Sequence, residues 1–157
     1  MAFLIRQLKV GDYHRGYLDV LRQLSSITEE ITFEQFEIYY NCMQSPTDFD
    51  VKVKHCLQYH IYVVIDELKD VVIGCGTLLI EDKVIHNFGR VGHIEDIVVD
   101  NKYRGEGLGR IIIENLTDVS LKMGCYKTIL DCSESNETFY EKCGFSKKGL
   151  YMAVYHK

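Results

Sequence analysis

Arg104-Gly105-Glu106-Gly107-Leu108-Gly109-Arg110 sets glycines on alternate positions between two arginines. The apolar run Ile97-Val98-Val99 precedes this stretch, and Ile111-Ile112-Ile113 follows it. A strand that runs into such a loop and then into a helix is an anion site in principle. The first N–H groups of a helix have no intrahelical partner, the helix dipole favours negative charge, and glycine lets a ligand approach closely. A triphosphate-binding loop needs G-x-x-x-x-G-K-[ST], but Arg110-Ile111 follows Gly109. A dinucleotide fingerprint needs G-x-G-x-x-G, and the spacing here is G-x-G-x-G, although Asp131 stands near where a ribose-binding acid is expected.

Two other groups of residues could do chemistry. Glu95 and Asp96 are adjacent carboxylates inside an otherwise apolar stretch. Strict strand alternation predicts that they face opposite ways and cannot work as a pair on one face. A nucleophilic cysteine would need a base beside it, and none of Cys42, Cys56, Cys75, Cys125, Cys132 and Cys143 stands in a C-x-x-C pair. They read as reduced, mostly buried thiols of a cytosolic protein. The six histidines form no zinc-binding spacing, so no metal is expected. A formal charge of −5 argues against a nucleic-acid-binding surface. The apolar runs are too short to span a bilayer, and MAFLIRQLKV lacks the apolar stretch of a signal peptide.

The elements that must position these residues follow from periodicity. The 157 residues suggest one domain, 1–157, with one core and no linker or repeat. Phe3 to Leu8 reads as a strand. Asp12 caps a helix to about Leu24, and Thr32 with Gln35 forms a capping box that opens a second helix through Cys42. Gln44 to Cys56 is polar and loop-like, with the chain's single proline at Pro46. Tyr59 to Ile65 and Val71 to Ile80 form a hairpin around Glu67–Asp70, and His93 to Val99 is a further strand. Leu108, Ile111, Ile112, Leu116, Val119 and Met123 mark one face of a long helix that stops at Gly124. Tyr126 to Cys132 is a strand, Ser135 to Cys143 a short helix, and Phe145 to Tyr155 one or two last strands. The fold class is α/β, with a mixed, largely antiparallel sheet flanked by helices.

Arg104-Gly105-Glu106-Gly107-Leu108-Gly109 resembles the R-x-x-G-x-G loop of the Gcn5-related N-acetyltransferases (GNAT), which holds the pyrophosphate of acetyl-coenzyme A. The resemblance narrows with Ile80 to His86, with Gly92-His93-Ile94-Glu95-Asp96-Ile97-Val98-Val99, with Gly124-Cys125-Tyr126-Lys127, with Leu130-Asp131-Cys132 and with Phe139-Tyr140-Glu141-Lys142-Cys143-Gly144-Phe145. In that order and spacing they are similar to the glucosamine 6-phosphate N-acetyltransferases. The resemblance is strong from Val71 to Phe145 and weaker, but colinear, before it.

That resemblance implies a GNAT fold and acetyl transfer from acetyl-CoA to the 2-amine of D-glucosamine 6-phosphate, by direct attack in a ternary complex. The product is the N-acetylated sugar phosphate of UDP-N-acetylglucosamine biosynthesis. It also implies roles. Ile97, Val98 and Val99 offer backbone groups to the carbonyl and pantetheine on a strand that splays from its neighbour. Arg104 to Gly109 hold the pyrophosphate, and Asn136 borders the cofactor. Tyr140 protonates the leaving thiolate. Glu95 and Asp96 orient the sugar, and the Asp131 carbonyl accepts a hydrogen bond from the amine. Ser25, Lys83 and His86 contact the substrate, as do Tyr126 and Lys127 from the other subunit of a homodimer. One departure stands out: the family carries a phosphate-binding arginine near its C-terminal strand, and no arginine follows Arg110. Tyr155 or His156 occupies that neighbourhood, with Lys147, Lys148 and Lys157 as substitutes that lack the guanidinium fork. Two other readings stay open: a GNAT enzyme acting on a polyamine, an aminoglycoside or a protein N-terminus, and a non-catalytic acyl-CoA sensor.

Overall fold

The computed structural model describes residues 2–25, 27, 29–44 and 59–156. Most of the stretch expected as a polar loop, including Pro46 and Cys56, lies outside them. Among the described residues, five strands form one sheet in chain order: β1 (Phe3–Gln7), β2 (Tyr59–Asp66), β3 (Val71–Asp82), β4 (Arg90–Val99) and β5 (Cys125–Ile129). The first four are antiparallel neighbours and β5 runs parallel to β4. A parallel neighbour needs a crossover, which the fifteen-residue helix α4 (Leu108–Lys122) supplies. The sheet and flanking helices match the expected fold class.

Each sheet face has its own core. On one face, Leu108, Ile112, Ile113 and Leu116 of α4 are at most 1% exposed and pack on Val64, Ile73, Leu78, Ile80 and Ile94. Burying each such side chain contributes roughly 1.5–3 kcal/mol. The other face is covered by α1 (Tyr17–Leu21) and α2 (Phe33–Gln44), where Tyr17, Leu18, Val20 and Phe36 meet Val63, Ile65, Val72, Cys75 and Val98. The Thr32–Gln35 capping box is present: Gln35 N–H donates to Thr32 Oγ1 (3.2 Å) and Thr32 N–H to Gln35 Oε1 (2.9 Å).

Several elements differ from expectation. The helix expected from Asp12 to Leu24 is broken at Gly16, whose φ of +83° ends a 3-10 turn (Val10–Arg15) and begins α1. Asp12 is no N-cap. Its side chain is fully buried, takes two 2.7 Å hydrogen bonds from the Arg6 guanidinium and accepts the Lys9 N–H at 2.8 Å. The connection between β3 and β4 holds a short turn, α3 (Ile85–Phe88), in which His86, Asn87 and Phe88 have φ of +57°, +56° and +60°. After the short helix α5 (Glu137–Lys142), no strand forms among the described residues of 145–156. Leu150, Met152 and Val154 keep a period-two pattern, yet they are 88%, 90% and 75% exposed, because no neighbouring strand pairs with them. The cysteines are also less buried than expected: Cys75 and Cys125 are buried, Cys143 is intermediate, and Cys42 and Cys132 are exposed.

Candidate active site

A bulge in β4 organises the site. Cys75 pairs with Val98 and Thr77 with Glu95, so Asp96 and Ile97 together stand opposite Gly76. Asp96 takes a φ of +53°. Inserting one residue breaks strand alternation. Ile94 and Ile97, three apart, both pack toward α4, while Val98 belongs to the opposite core. Glu95 pairs with Thr77, and the Asp96 charge acts on Tyr17 and Cys75, all on the α1 side. The expectation that alternation would put Glu95 and Asp96 on opposite faces is therefore corrected: the bulge turns both to one face. Burial, then Asp131 and Asp96, push the Glu95 carboxyl above its ordinary value, and His93 partly opposes them.

Beyond the bulge lies an open backbone edge. Pairing of β4 with β5 runs from Arg90↔Cys125 to His93↔Ile129 and stops there. Among the described residues, β4 continues through Ile97, Val98 and Val99 with no β5 partner, which is the splay the resemblance implied. The glycine loop follows. Arg104 Nε donates to the Val99 carbonyl at 3.2 Å, which ties the loop back to the strand end. Gly105 and Gly107 have φ of +85° and +77°, positions that suit glycine. Gly107 is the α4 N-cap and makes no side-chain cap, so the first α4 N–H groups point out beside Glu106, Leu108 and Gly109. At Gly109 a Cβ would stand 3.3 Å from the Phe139 ring, so α5 packs close against the loop.

The remaining candidates fall into two groups. His86 and Tyr126 rings lie 4.4 Å apart, and Lys127 Nζ is 5.7 Å from the Tyr126 ring. Lys83 is near His86 in sequence but is bonded to Glu81. Asp131 and Tyr140 line a cavity of about 700 Å³ together with Lys127, Cys132, Phe145 and Tyr151. This cavity lies between β5, α5 and the C-terminal segment, beside the open β4 edge rather than along it. Tyr140 is half-buried, with Phe139 edge-on at 5.0 Å and Phe145 at 6.3 Å. Burial, then Cys132 and Cys143, raise its hydroxyl pKa, so it keeps its proton at neutral pH. Asn136 is the α5 N-cap, but its side chain makes no capping bond. Ser25 lies exposed after α1, its N–H bonded to Leu21 C=O at 3.2 Å, and is not joined to either group. Lys147 sits 3.6 Å from Glu137 and lines the cavity with Lys148. Cys75 is pushed up to about 12 by burial and Asp96, so it is no nucleophile. Among the described residues no His/Cys/Asp/Glu cluster could hold a metal ion, and no helix is long and apolar enough to cross a membrane.

Some supporting residues were not anticipated. Tyr103 donates to Asp66 Oδ2 at 2.8 Å and accepts from Lys69 Nζ at 2.8 Å, which anchors the approach to the glycine loop. Gln23 donates to Asp100 at 3.1 Å and accepts the Asn101 N–H at 2.9 Å. Such long-range pairs leave no periodic trace. Gly76 did leave one, since glycine inside a strand pattern marks a close approach, here of Ile97, Ile112 and Leu116.

The chain matches the acetyltransferase (GNAT) family over residues 24–145. It is 43% identical over 150 residues to glucosamine 6-phosphate N-acetyltransferase 1 of Dictyostelium discoideum, covering 96% of this chain and 88% of the relative. It is 40% identical to the Arabidopsis thaliana glucosamine 6-phosphate N-acetyltransferase, covering 98% and 97%. The crystal structure of an Arabidopsis thaliana enzyme of that name superposes with a TM-score of 0.89 at 38% identity, over 100% of both chains. The bulged strand, the open edge and the glycine loop therefore belong to an acetyltransferase, and this chain is a member of the GNAT family and, within it, of the glucosamine 6-phosphate N-acetyltransferases.

Proposed function

We propose that this chain moves the acetyl group of acetyl-CoA to the 2-amine of D-glucosamine 6-phosphate, releasing N-acetyl-D-glucosamine 6-phosphate and CoA. The observation that carries this reading is the β4 bulge, which turns Glu95 and Asp96 to one face beside an unpaired strand edge. GNAT enzymes use acetyl-CoA, and relatives at 39–43% identity carry the name of this activity. Those relatives do not favour a different amine or a non-catalytic sensor.

The residues divide the work. Backbone N–H groups of Ile97 to Val99 pair with the donor and polarise its carbonyl, with Val98 as the oxyanion donor. Arg104 to Gly109 take the pyrophosphate, and Asn136 borders it. Glu95 and Asp96 orient the sugar and its amine. Glu95, with its raised affinity for protons, takes the ammonium proton and passes it to water, while the Asp131 carbonyl accepts a hydrogen bond from the amine. The neutral amine attacks and a C–N bond forms; the nitrogen then releases its second proton to water as the C–S bond breaks. Tyr140 gives its proton to the departing thiolate and is reprotonated from solvent. Ser25, Lys83, His86, Tyr126 and Lys127 serve the sugar phosphate.

We further infer one N-acetyltransferase domain over 1–157, a homodimer that completes each site through Tyr126 and Lys127, a cytoplasmic location and a place in UDP-N-acetylglucosamine biosynthesis. The homodimer is supported by the exposed apolar residues Leu150, Met152 and Val154 and by a β5 edge without a partner among the described residues. The test of the activity is CoA release from acetyl-CoA with glucosamine 6-phosphate and with glucosamine. Fast release only with the phosphate ester is the expected result. Equal rates, or none, would overturn the substrate assignment.

A further inference from the structure

Glu81 divides its carboxylate between two partners. Oε1 accepts from Lys83 Nζ, and Oε2 is 2.9 Å from His93 Nε2. The two partners connect Glu81 to both groups of acceptor candidates. Lys83 opens the segment that leads to His86 and its Tyr126 contact. His93 lies two residues before Glu95 on β4, where the strand still alternates, so the two share a face. His93 acts on Glu95, as do Asp131 and Asp96. All three members of the cluster are partly shielded, with side chains 31%, 41% and 28% exposed for Lys83, Glu81 and His93. A lysine bridged only to solvent would sample many rotamers, and holding it before the ligand arrives removes that ordering cost from binding.

We propose that Glu81 is a positioning residue for the acceptor sugar, fixing Lys83 at the phosphate end while it holds His93 beside Glu95 at the amine end. This deepens the reading of the site given above and rests on it. With no arginine after Arg110, the phosphate grip leans more on lysines such as Lys83. A single ammonium lacks the guanidinium's fixed geometry, and Glu81 supplies the orientation from outside. Lys83 has three donors, so the bond to Glu81 leaves two for phosphate oxygens.

The test is a double-mutant cycle on the full chain, with Glu81→Gln, Lys83→Met and their combination. It reads KM for glucosamine 6-phosphate, KM for acetyl-CoA and the thermal midpoint. Glu81→Gln should raise the acceptor KM about tenfold, as expected for losing a hydrogen bond to a charged group, and leave the acetyl-CoA KM unchanged. In the Lys83→Met background only the His93 tether is left to lose, so Glu81→Gln should add about threefold rather than tenfold. His93→Ala removes the other tether and should raise the acceptor KM in the same selective way, which keeps the proposal open to refutation if Glu81→Gln folds poorly. An unchanged acceptor KM in both single variants, equal rises in both KM values, or full additivity with Lys83→Met would overturn the positioning role. If the wild-type chain releases no CoA with either sugar, the acceptor reading falls and this inference with it. Wild-type turnover alongside unaffected variants removes this inference alone.

Discussion

The δ-methyl of Ile97 occupies the space that a side chain on Gly76 would need. A Cβ at Gly76 would also stand 2.8 Å from Ile112 Cγ2 and 2.9 Å from Leu116 Cδ1. The glycine therefore sets the depth at which the bulged strand seats against α4, and with it the direction of Glu95 and Asp96. Gly76→Ala should cost about 2 kcal/mol through overpacking. That corresponds to a fall in thermal midpoint of roughly 4–8 °C for a chain of this size. Thermal unfolding followed by circular dichroism measures it. Gly76→Ala with an unaltered midpoint would mean that the bulge does not depend on this contact.

The site was partly legible because its signals are local. The glycine loop and α4 lie in consecutive residues, and both stand where the sequence put them, although the buried face of α4 takes Ile113 in place of Ile111, which is 43% exposed. The Thr32–Gln35 box was legible for the same reason. The bulge was not, because a period of two says nothing about where an extra residue enters, and one inserted residue reverses every later side chain. The broken first helix shows a related limit: Gly16 lies inside an apolar pattern that continues across it, and only the backbone at +83° separates the two turns. The C-terminal pattern Leu150, Met152, Val154 reads as a strand because apolar alternation records what a segment can pair with, not whether this chain contains the pair.

Asp12 ties β1 to the first turn. Burial pushes its carboxyl up, but hydrogen bonds from Arg6 and the Lys9 N–H outweigh burial and hold it below its ordinary 3.8. A depressed folded-state pKa contributes stability above the unfolded value and loses it as pH falls through the folded value. Wild-type stability should therefore fall as pH drops below about 3.8, where Asp12 begins to bind its proton in the unfolded chain. Asp12→Asn leaves Arg6 without its charged partner and should cost about 3 kcal/mol at neutral pH. Urea titrations of both proteins at pH 7 and pH 3.5 test this, and the gap between them should narrow at the lower pH.

Glu95 and Asp96 give a pH signature. The Glu95 carboxyl is raised above 4.5 by burial and then by Asp131 and Asp96. Its ionised form is the one that accepts the ammonium proton, so turnover should fall as pH drops through that raised value. Asp96→Asn removes one repelling charge and should move this acid limb to lower pH, whatever it does to the absolute rate. Glu95→Gln should abolish the limb and slow turnover about a hundredfold, within the range of general-base losses. Profiles of kcat against pH for the three proteins decide the matter. An acid limb shared unchanged by wild type and Glu95→Gln would assign the ionisation to another group.

Tyr140 supplies the opposite limb. Its hydroxyl is the weak acid of the site: burial first, then the neighbouring Cys132 and Cys143, raise its pKa above 10, so it remains a proton donor across the neutral and mildly alkaline range. Phenylalanine keeps the ring contacts with Phe139 and Phe145 and removes only the donor. Tyr140→Phe should therefore bind CoA as the wild type does and lose about a hundredfold in kcat, the usual worth of a positioned general acid. The loss should shrink when the leaving thiol is made more acidic, as with an aryl thioester donor, because such a thiolate departs without a proton. Calorimetric CoA binding and steady-state rates with acetyl-CoA and the aryl thioester give the comparison. Equal losses with both donors would place Tyr140 in binding or packing, and an unchanged kcat would remove it from the reaction.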